Sequence, residues 1–255
     1  MANLIECPSG LSFYARKLRG SEANLFTDRK TVRKGILIDR ILSSTFEELS
    51  EPGPYNIGDE GKPTWKHLLT GDRLVALIQI RIATYGPEME FAVQCDNDGC
   101  RKRFHIELDL VEDLQIKNLS KKDREAFVGG NLIEAPMVDN DGQQRTVQFH
   151  LMTGADEVKM SSIAEREIDR QVTASLAQRI DRIEGVHAND MIRFLDTLDM
   201  DLLQDMTARL DEHDCGVETD IEVECDYCGQ YMTVVLPLGG REFFLPKRKR
   251  QAQAV

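Results

Sequence analysis

The chain has 255 residues, enough for one large domain or two small ones around a sizeable core. It is 41% hydrophobic and 30% charged, as ordinary globular proteins are, and its most apolar run, Leu74–Ala83, is too short and carries Arg81, which excludes a membrane span. A net charge of −12 argues against a broad phosphate-binding surface, and Met1–Glu6 lacks the basic and apolar regions of a secretory leader, so the expectation is a protein cytosolic at synthesis.

Leu11, Phe13 and Ala15 alternate as a strand does, and Leu18-Arg-Gly-Ser-Glu22 suits a helix start. Ile36, Ile38, Ile41, Leu42 and Phe46 read as the stripe of the helix that follows. Glu51–Pro63 is a loop rich in Gly and Pro, of the kind that carries partner contacts. Asp72 is the predicted N-cap of a helix over Arg73–Tyr85, with Leu74, Leu77, Ile78 and Ile82 buried and Gly86-Pro87 as the stop. Phe91 and Val93 lead to the knuckle Cys95-Asp-Asn-Asp-Gly-Cys100, and Phe104, Ile106, Leu108 and Leu110 lead away from it. Lys117–Gly130 is a polar connection with a short helix.

The second half repeats the plan. Thr146–Met152 is a strand, and Thr153-Gly-Ala-Asp-Glu157 opens a helix. Val158, Ile163, Ile168, Val172, Leu176, Ile180 and Ile183 predict a long helical stripe, and Glu165, Glu167 and Asp169 among Arg166 and Arg170 a solvated, salt-bridged face. Asp199 or Asp201 caps a helix carrying Leu202, Leu203, Met206 and Leu210, which ends near Cys215-Gly216, with Cys215 as a core thiol. Ile221, Val223 and Cys225 fall 130 positions after Phe91, Val93 and Cys95; Met232, Val234, Leu236 and Leu238 fall 128 after Phe104, Ile106, Leu108 and Leu110. The two-residue difference is the difference between Cys-x₄-Cys and Cys-x₂-Cys. The predicted fold class is α+β: two tandem related α+β modules over 4–118 and 131–246, each of helices plus a cysteine-tipped β-ribbon, with a basic flexible tail at 247–255. Lys247-Arg-Lys-Arg250 is either a solvated tail or an arm that docks on an acidic partner; Phe243-Phe244 is either a last edge strand closing the core or a surface contact.

Cys95, Cys100, Cys225 and Cys228 are the candidate site. Two ribbon tips brought face to face by a twofold relation give four thiolates, the set that structural zinc takes, and one shared ion joins both halves. Two separate disulfides, or thiols that only pack, are the alternatives. A four-cysteine site leaves no open position, which argues for architecture and against hydrolysis by zinc-bound water. A redox Cys-x-x-Cys normally opens a helix, whereas these pairs lie between strands. His105 and His213 are candidate substitute ligands; His67, His150 and His187 are scattered. The chain holds no phosphate loop, dinucleotide fingerprint or nucleophile elbow.

Trp65-Lys-His-Leu-Leu-Thr-Gly-Asp72, Ile80-Arg-Ile-Ala-Thr-Tyr-Gly86, Ile221-Glu-Val-Glu-Cys-Asp-Tyr-Cys-Gly229 and Val235-Leu-Pro-Leu-Gly-Gly-Arg-Glu-Phe-Phe244 together resemble the baseplate hub assembly chaperone family of T-even-type contractile-tailed phages. The resemblance implies a non-enzymatic protein of tail morphogenesis, made in the host bacterial cytoplasm. It would bind hub, wedge or tail-tube-initiating proteins, with retention in the virion baseplate left open. No small-molecule substrate and no membrane are expected, and the acidic net charge argues against nucleic acid. A zinc-ribbon nucleic-acid or transcription adaptor is the alternative; Arg101-Lys-Arg-Phe104 favours it, and Glu222, Glu224 and Asp226 oppose it. A zinc hydrolase is a third reading.

Overall fold

The computed structural model describes residues 2–26, 36–166, 168–238 and 241–246, with only the backbone described at 161, 164–166, 168, 241 and 242. The tail at 247–255 and the side chains of Glu165, Arg166 and Glu167 lie outside the described residues.

Strands β1 (Asn3–Glu6) and β2 (Leu11–Ala15) make a hairpin, and β3 (Phe46–Pro52) adds to the far side of β2, giving the order β1-β2-β3. The short α1 (Gly20–Ala23) and α2 (Leu37–Thr45) lie between β2 and β3 in the chain. Residues 53–64 and a 3₁₀ turn at Trp65–His67 lead to α3 (Thr70–Tyr85). A first ribbon follows, β4 (Glu88–Gln94) with β5 (Arg103–Asp109), then β6 (Ile116–Lys117) and α4 (Lys121–Val128). Ser120 caps α4, its hydroxyl accepting from the Asp123 N–H at 3.1 Å.

A second three-stranded sheet, β7-β8-β9, is built from β7 (Ile133–Val138), β8 (Gln144–Phe149) and β9 (Ile180–Ile183), with α5 (Gly154–Arg166) and α6 (Gln171–Arg179) between its second and third strands. Then come α7 (Met191–Thr197), α8 (Met200–Asp211), β10 (Gly216–Val217, paired with β6), the ribbon β11 (Asp220–Glu224) with β12 (Tyr231–Val235), and α9 (Arg241–Phe244).

The two sheets share their register. Phe13 pairs with Leu49 and Ala15 with Phe46; Val147 pairs with Ile183 and Phe149 with Ile180, each 134 residues on. Opposite the step from Tyr14 to Ala15, β3 carries one extra residue, Glu47, and opposite the step from Gln148 to Phe149, β9 carries one, Asp181. Arg16 N–H donates to the Thr45 carbonyl (2.9 Å), and His150 N–H donates to that of Arg179 (3.1 Å). From Leu69 to Gly86 the spacing becomes 130: Leu69 and Asp199 both precede helices α3 and α8 with extended backbone, and Gly86 and Gly216 both take positive φ.

The bulges explain where helical periodicity misleads. Phe46, Ile180 and Ile183 fit a helical stripe but lie on β3 and β9. An extra residue in β9 itself, Asp181, lets residues three apart, Ile180 and Ile183, both face the core, which imitates the spacing of a helix. The helix ends at Arg179, where the open edge of β8 takes the β-branched Ile180. Asp72 is likewise not the N-cap: α3 opens at Thr70, because Thr70 N–H donates to the Met152 carbonyl and Gly154 N–H to that of Leu68, fixing the chain three residues earlier. Phe243 and Phe244 lie on a helical turn, buried, so neither an edge strand nor a surface contact is made there.

One core cluster gathers Ile5, Phe13, Ile41, Trp65, Leu77 and Phe91 with Leu236, Leu238, Phe243 and Phe244, so the last described residues pack among the first. A second gathers Met137, Val147, Phe149, Ile183, Leu203 and Leu210, together with Leu69 and Leu119. A third, small cluster lies between the ribbons: Cys95, Phe104 and Cys225, with Val93, Ile106, Val223 and Met232 against it.

Candidate metal centre

Each ribbon carries its thiols by backbone alone. In the first, Phe91 pairs with Ile106 and Val93 with Phe104; in the second, Ile221 pairs with Val234 and Val223 with Met232. These residues turn toward each other, while their neighbours in sequence face water. One more step along each strand brings Cys95 and Cys225 to the end of this apolar contact, both buried. Cys95 N–H donates to the Lys102 carbonyl and Cys225 N–H to that of Gln230, each at 2.9 Å, closing the two tips. Each tip then folds back. Asn97 caps the first through its side chain, which accepts from Gly99 N–H at 2.9 Å, and Arg101 takes φ +49. In the second, Gly229 N–H reaches the Cys225 carbonyl and Gly229 takes φ +69.

The tips face each other. The sulfur of Cys95 lies 3.7 Å from that of Cys228, and the sulfur of Cys100 lies 4.0 Å from that of Cys225. All four lie within 4.8 Å of one another. For four thiolates held about 2.3 Å from one ion, tetrahedral geometry sets a sulfur–sulfur edge of about 3.8 Å. The four thiols therefore fit a single metal ion, and are the one such His/Cys/Asp/Glu group among the described residues. The close contacts run between ribbons, so an ion here would bridge both halves of the chain. Asn97 Nδ2 approaches the Cys228 sulfur at 3.9 Å, and Gln230 Nε2 donates to Asp96 Oδ1 at 3.3 Å, which ties the tips further. Burial pushes the Cys95 thiol up to about 12. Burial also opposes ionisation of Cys225, but the N–H groups of Tyr227 and Cys228, with the neighbouring thiols, bring it down to about 7.

The histidines stand elsewhere. His105 lies on the water side of β5, opposite Ala92. His213 Nδ1 sits 2.6 Å from Asp123 Oδ1, at the joint between α4 and α8. Cys215 packs half-buried against the second core cluster, and Cys7 is buried in the first.

Sequence reasoning passed over a second polar centre, where the halves abut. Arg73 is fully buried. Its guanidinium meets Asp39 on α2 and Glu157 on α5 (Nε to Oε2, 3.0 Å), and donates to the Trp65 carbonyl at 2.7 Å. Beside it Asp72, also fully buried, accepts from the Ser9 N–H (2.9 Å), the Ser9 hydroxyl and the Tyr55 hydroxyl (2.5 Å). Burial raises the Asp72 carboxyl, against the pull of these donors. The signal was present: Arg73 and Asp72 stand in the apolar stripe of α3, where a surface charge has no place.

Three comparisons bear on identity. The model of the family described as T4 bacteriophage base plate protein matches residues 55–245, about three quarters of the chain. No curated protein matches, and no solved structure does.

Proposed function

We propose that this chain, which belongs to the T4 bacteriophage base plate protein family, is a non-enzymatic structural or assembly component of a contractile tail baseplate. In this reading it docks on hub, wedge or tail-tube-initiating proteins and is made in the bacterial cytoplasm. Cys95, Cys100, Cys225 and Cys228 hold one structural zinc that clips its two halves together. The observation that carries the reading is the family match, which spans both cysteine pairs. Support for zinc comes from the sulfur–sulfur distances and from the absence of an oxygen or nitrogen ligand in the cluster, since an all-thiolate set favours a soft, closed site. A closed four-thiolate site leaves no position for a reacting water, which accords with architecture and not catalysis.

We further infer that the two halves are copies of one module. The shared bulge, the 134-residue register of both sheets and the matched helix starts support this. In both halves a carboxylate three residues on reaches back to the first N–H of the turn: Glu22 to Arg19 at 2.7 Å, and Asp156 to Thr153 at 3.1 Å.

Affinity purification of the tagged full chain from infected cells tests the function. Recovery of baseplate proteins in amounts comparable to the bait is expected. Retention on DNA at low salt with no baseplate protein recovered would overturn the reading in favour of a nucleic-acid adaptor.

A further inference from the structure

The two ribbons are equivalent in register but not in what they show to water. On the outward face of the first, cross-strand pairs are Glu90–Glu107, Ala92–His105 and Gln94–Arg103, polar throughout save one alanine. On the second they are Asp220–Val235, Glu222–Thr233 and Glu224–Tyr231. All six of these side chains are exposed, because the intervening Ile221, Val223, Met232 and Val234 take the inner face. The face is thus split lengthwise. β11 carries three carboxylates in a row, and β12 carries an aromatic and an aliphatic side chain around a threonine. Tyr231 is 62% exposed and Val235 67%. Among the described residues, none of Asp220, Glu222 and Glu224 has a cation within ion-pair distance; Glu224 accepts a hydrogen bond from the Tyr231 hydroxyl at 3.1 Å. Exposed aromatic and aliphatic groups bordered by one sign of charge are the composition of a contact surface, and complementary charge selects the partner.

We propose that the outward face of β11–β12 is a docking surface for a basic amphipathic helix of a baseplate partner. Its apolar stripe would cover Tyr231 and Val235, and a bordering row of Lys or Arg would meet Asp220, Glu222 and Glu224. The fit is metric as well as electrostatic. Alternate strand residues repeat at about 6.7 Å and helix residues four apart at about 6 Å, so three successive positions stay in step. The strands lie about 4.8 Å apart, within the width of one helix. This rests on the baseplate reading and names the surface that reading leaves open.

Binding of a fluorescent helical peptide, with a leucine stripe bordered by lysines, to the metal-loaded full chain tests the face. The expected results are saturable binding that weakens with salt, at least tenfold weaker binding by Glu222→Lys/Glu224→Lys, and at least tenfold weaker binding by Tyr231→Ser/Val235→Ser with the salt dependence kept. Equal binding by both variants, or by the wild type to a glutamate-bordered peptide, overturns the proposal. So does a chain ending at Pro246 that binds the peptide tenfold more tightly than the full chain, because the face then belongs to the protein's own basic tail. In infected cells, a photo-crosslinking residue at Thr233 is expected to join a Lys- or Arg-rich segment of a baseplate protein, and one at Ala92 is not. Co-purification of baseplate proteins without a Thr233 adduct removes this face and leaves the proposed function standing. Loss of co-purification removes that function, and the peptide result alone then decides the face.

Discussion

The sulfurs of Cys95 and Cys228 lie 3.7 Å apart although 133 positions separate the two residues in the chain. Each thus meets a thiol of the opposite ribbon, and the centre belongs to neither half. Metal held there would contribute to the stability of the whole chain, because the separated ribbons offer only two ligands each.

The purified protein is expected to contain about one zinc per chain by elemental analysis. Cys225→Ser should lower that content and destabilise both core clusters together, by several kcal/mol in a single unfolding transition. Two separate transitions in the variant, one per core, would count against a shared centre.

Glu22 offers a pH test. Arg16 donates to it through both terminal nitrogens at 3.0 Å, Arg19 N–H adds 2.7 Å and the Ser21 hydroxyl 3.0 Å. The Arg16 guanidinium beside it, against the opposing effect of burial, holds its carboxyl down at about 2. A carboxyl depressed in the folded state stabilises above its unfolded value, and that contribution is lost as pH falls through the folded one. Glu22→Gln is therefore expected to cost about 2 kcal/mol at pH 7, with the gap to wild type closing from roughly pH 5 to 2 in urea titrations. A gap that stays constant over that range would mean the pairing contributes nothing.

At the joint between halves, space is the constraint. A Cβ at Gly71 would stand 2.0 Å from the Cys215 carbonyl oxygen and 2.9 Å from the Gly216 Cα. Backbone is rigid in a way that a long side chain is not, so Gly71→Ala should destabilise by about 2–3 kcal/mol despite its favourable helix propensity. Thermal unfolding reads it directly, and an unchanged midpoint would show that the two segments can part.

Arg73→Ala leaves Asp39 and Glu157 facing a void, and an expected loss of about 3–5 kcal/mol follows from removing the buried guanidinium that both carboxylates meet. Arg73→Met fills most of that volume and should recover part of the loss once Glu157→Gln is added. Denaturant midpoints of the three variants check it; equal losses in all three would remove the charge argument.

The cysteine ribbons were legible because strand alternation is a short-range code. Val93 and Phe104, or Val223 and Met232, announce the inner face by their own spacing, and the knuckles mark where the strands turn. The small sheets were half legible. Leu11–Ala15 alternates cleanly, but its partners do not: β1 is only four residues, and β3 and β9 each carry a bulge that gives their apolar residues helical spacing. At the joint the buried charges were legible but their partners were not, for a different reason. What Arg73 and Asp72 do depends on Asp39, Glu157, Ser9 and Tyr55, contacts made only after the fold is assembled.

Phe243 and Phe244 complete the same cluster as Ile5 and Phe13, and Phe244 stacks on Phe26 with ring centroids 4.7 Å apart. During synthesis this core therefore waits for residues 236–244 to leave the ribosome. A nascent chain cut short before Leu236 should expose an unfilled apolar hollow and be prone to aggregation or proteolysis. Only chains made through Phe244 would then reach the pool from which a particle is built, a form of quality control set by where Leu236, Leu238, Phe243 and Phe244 lie in space.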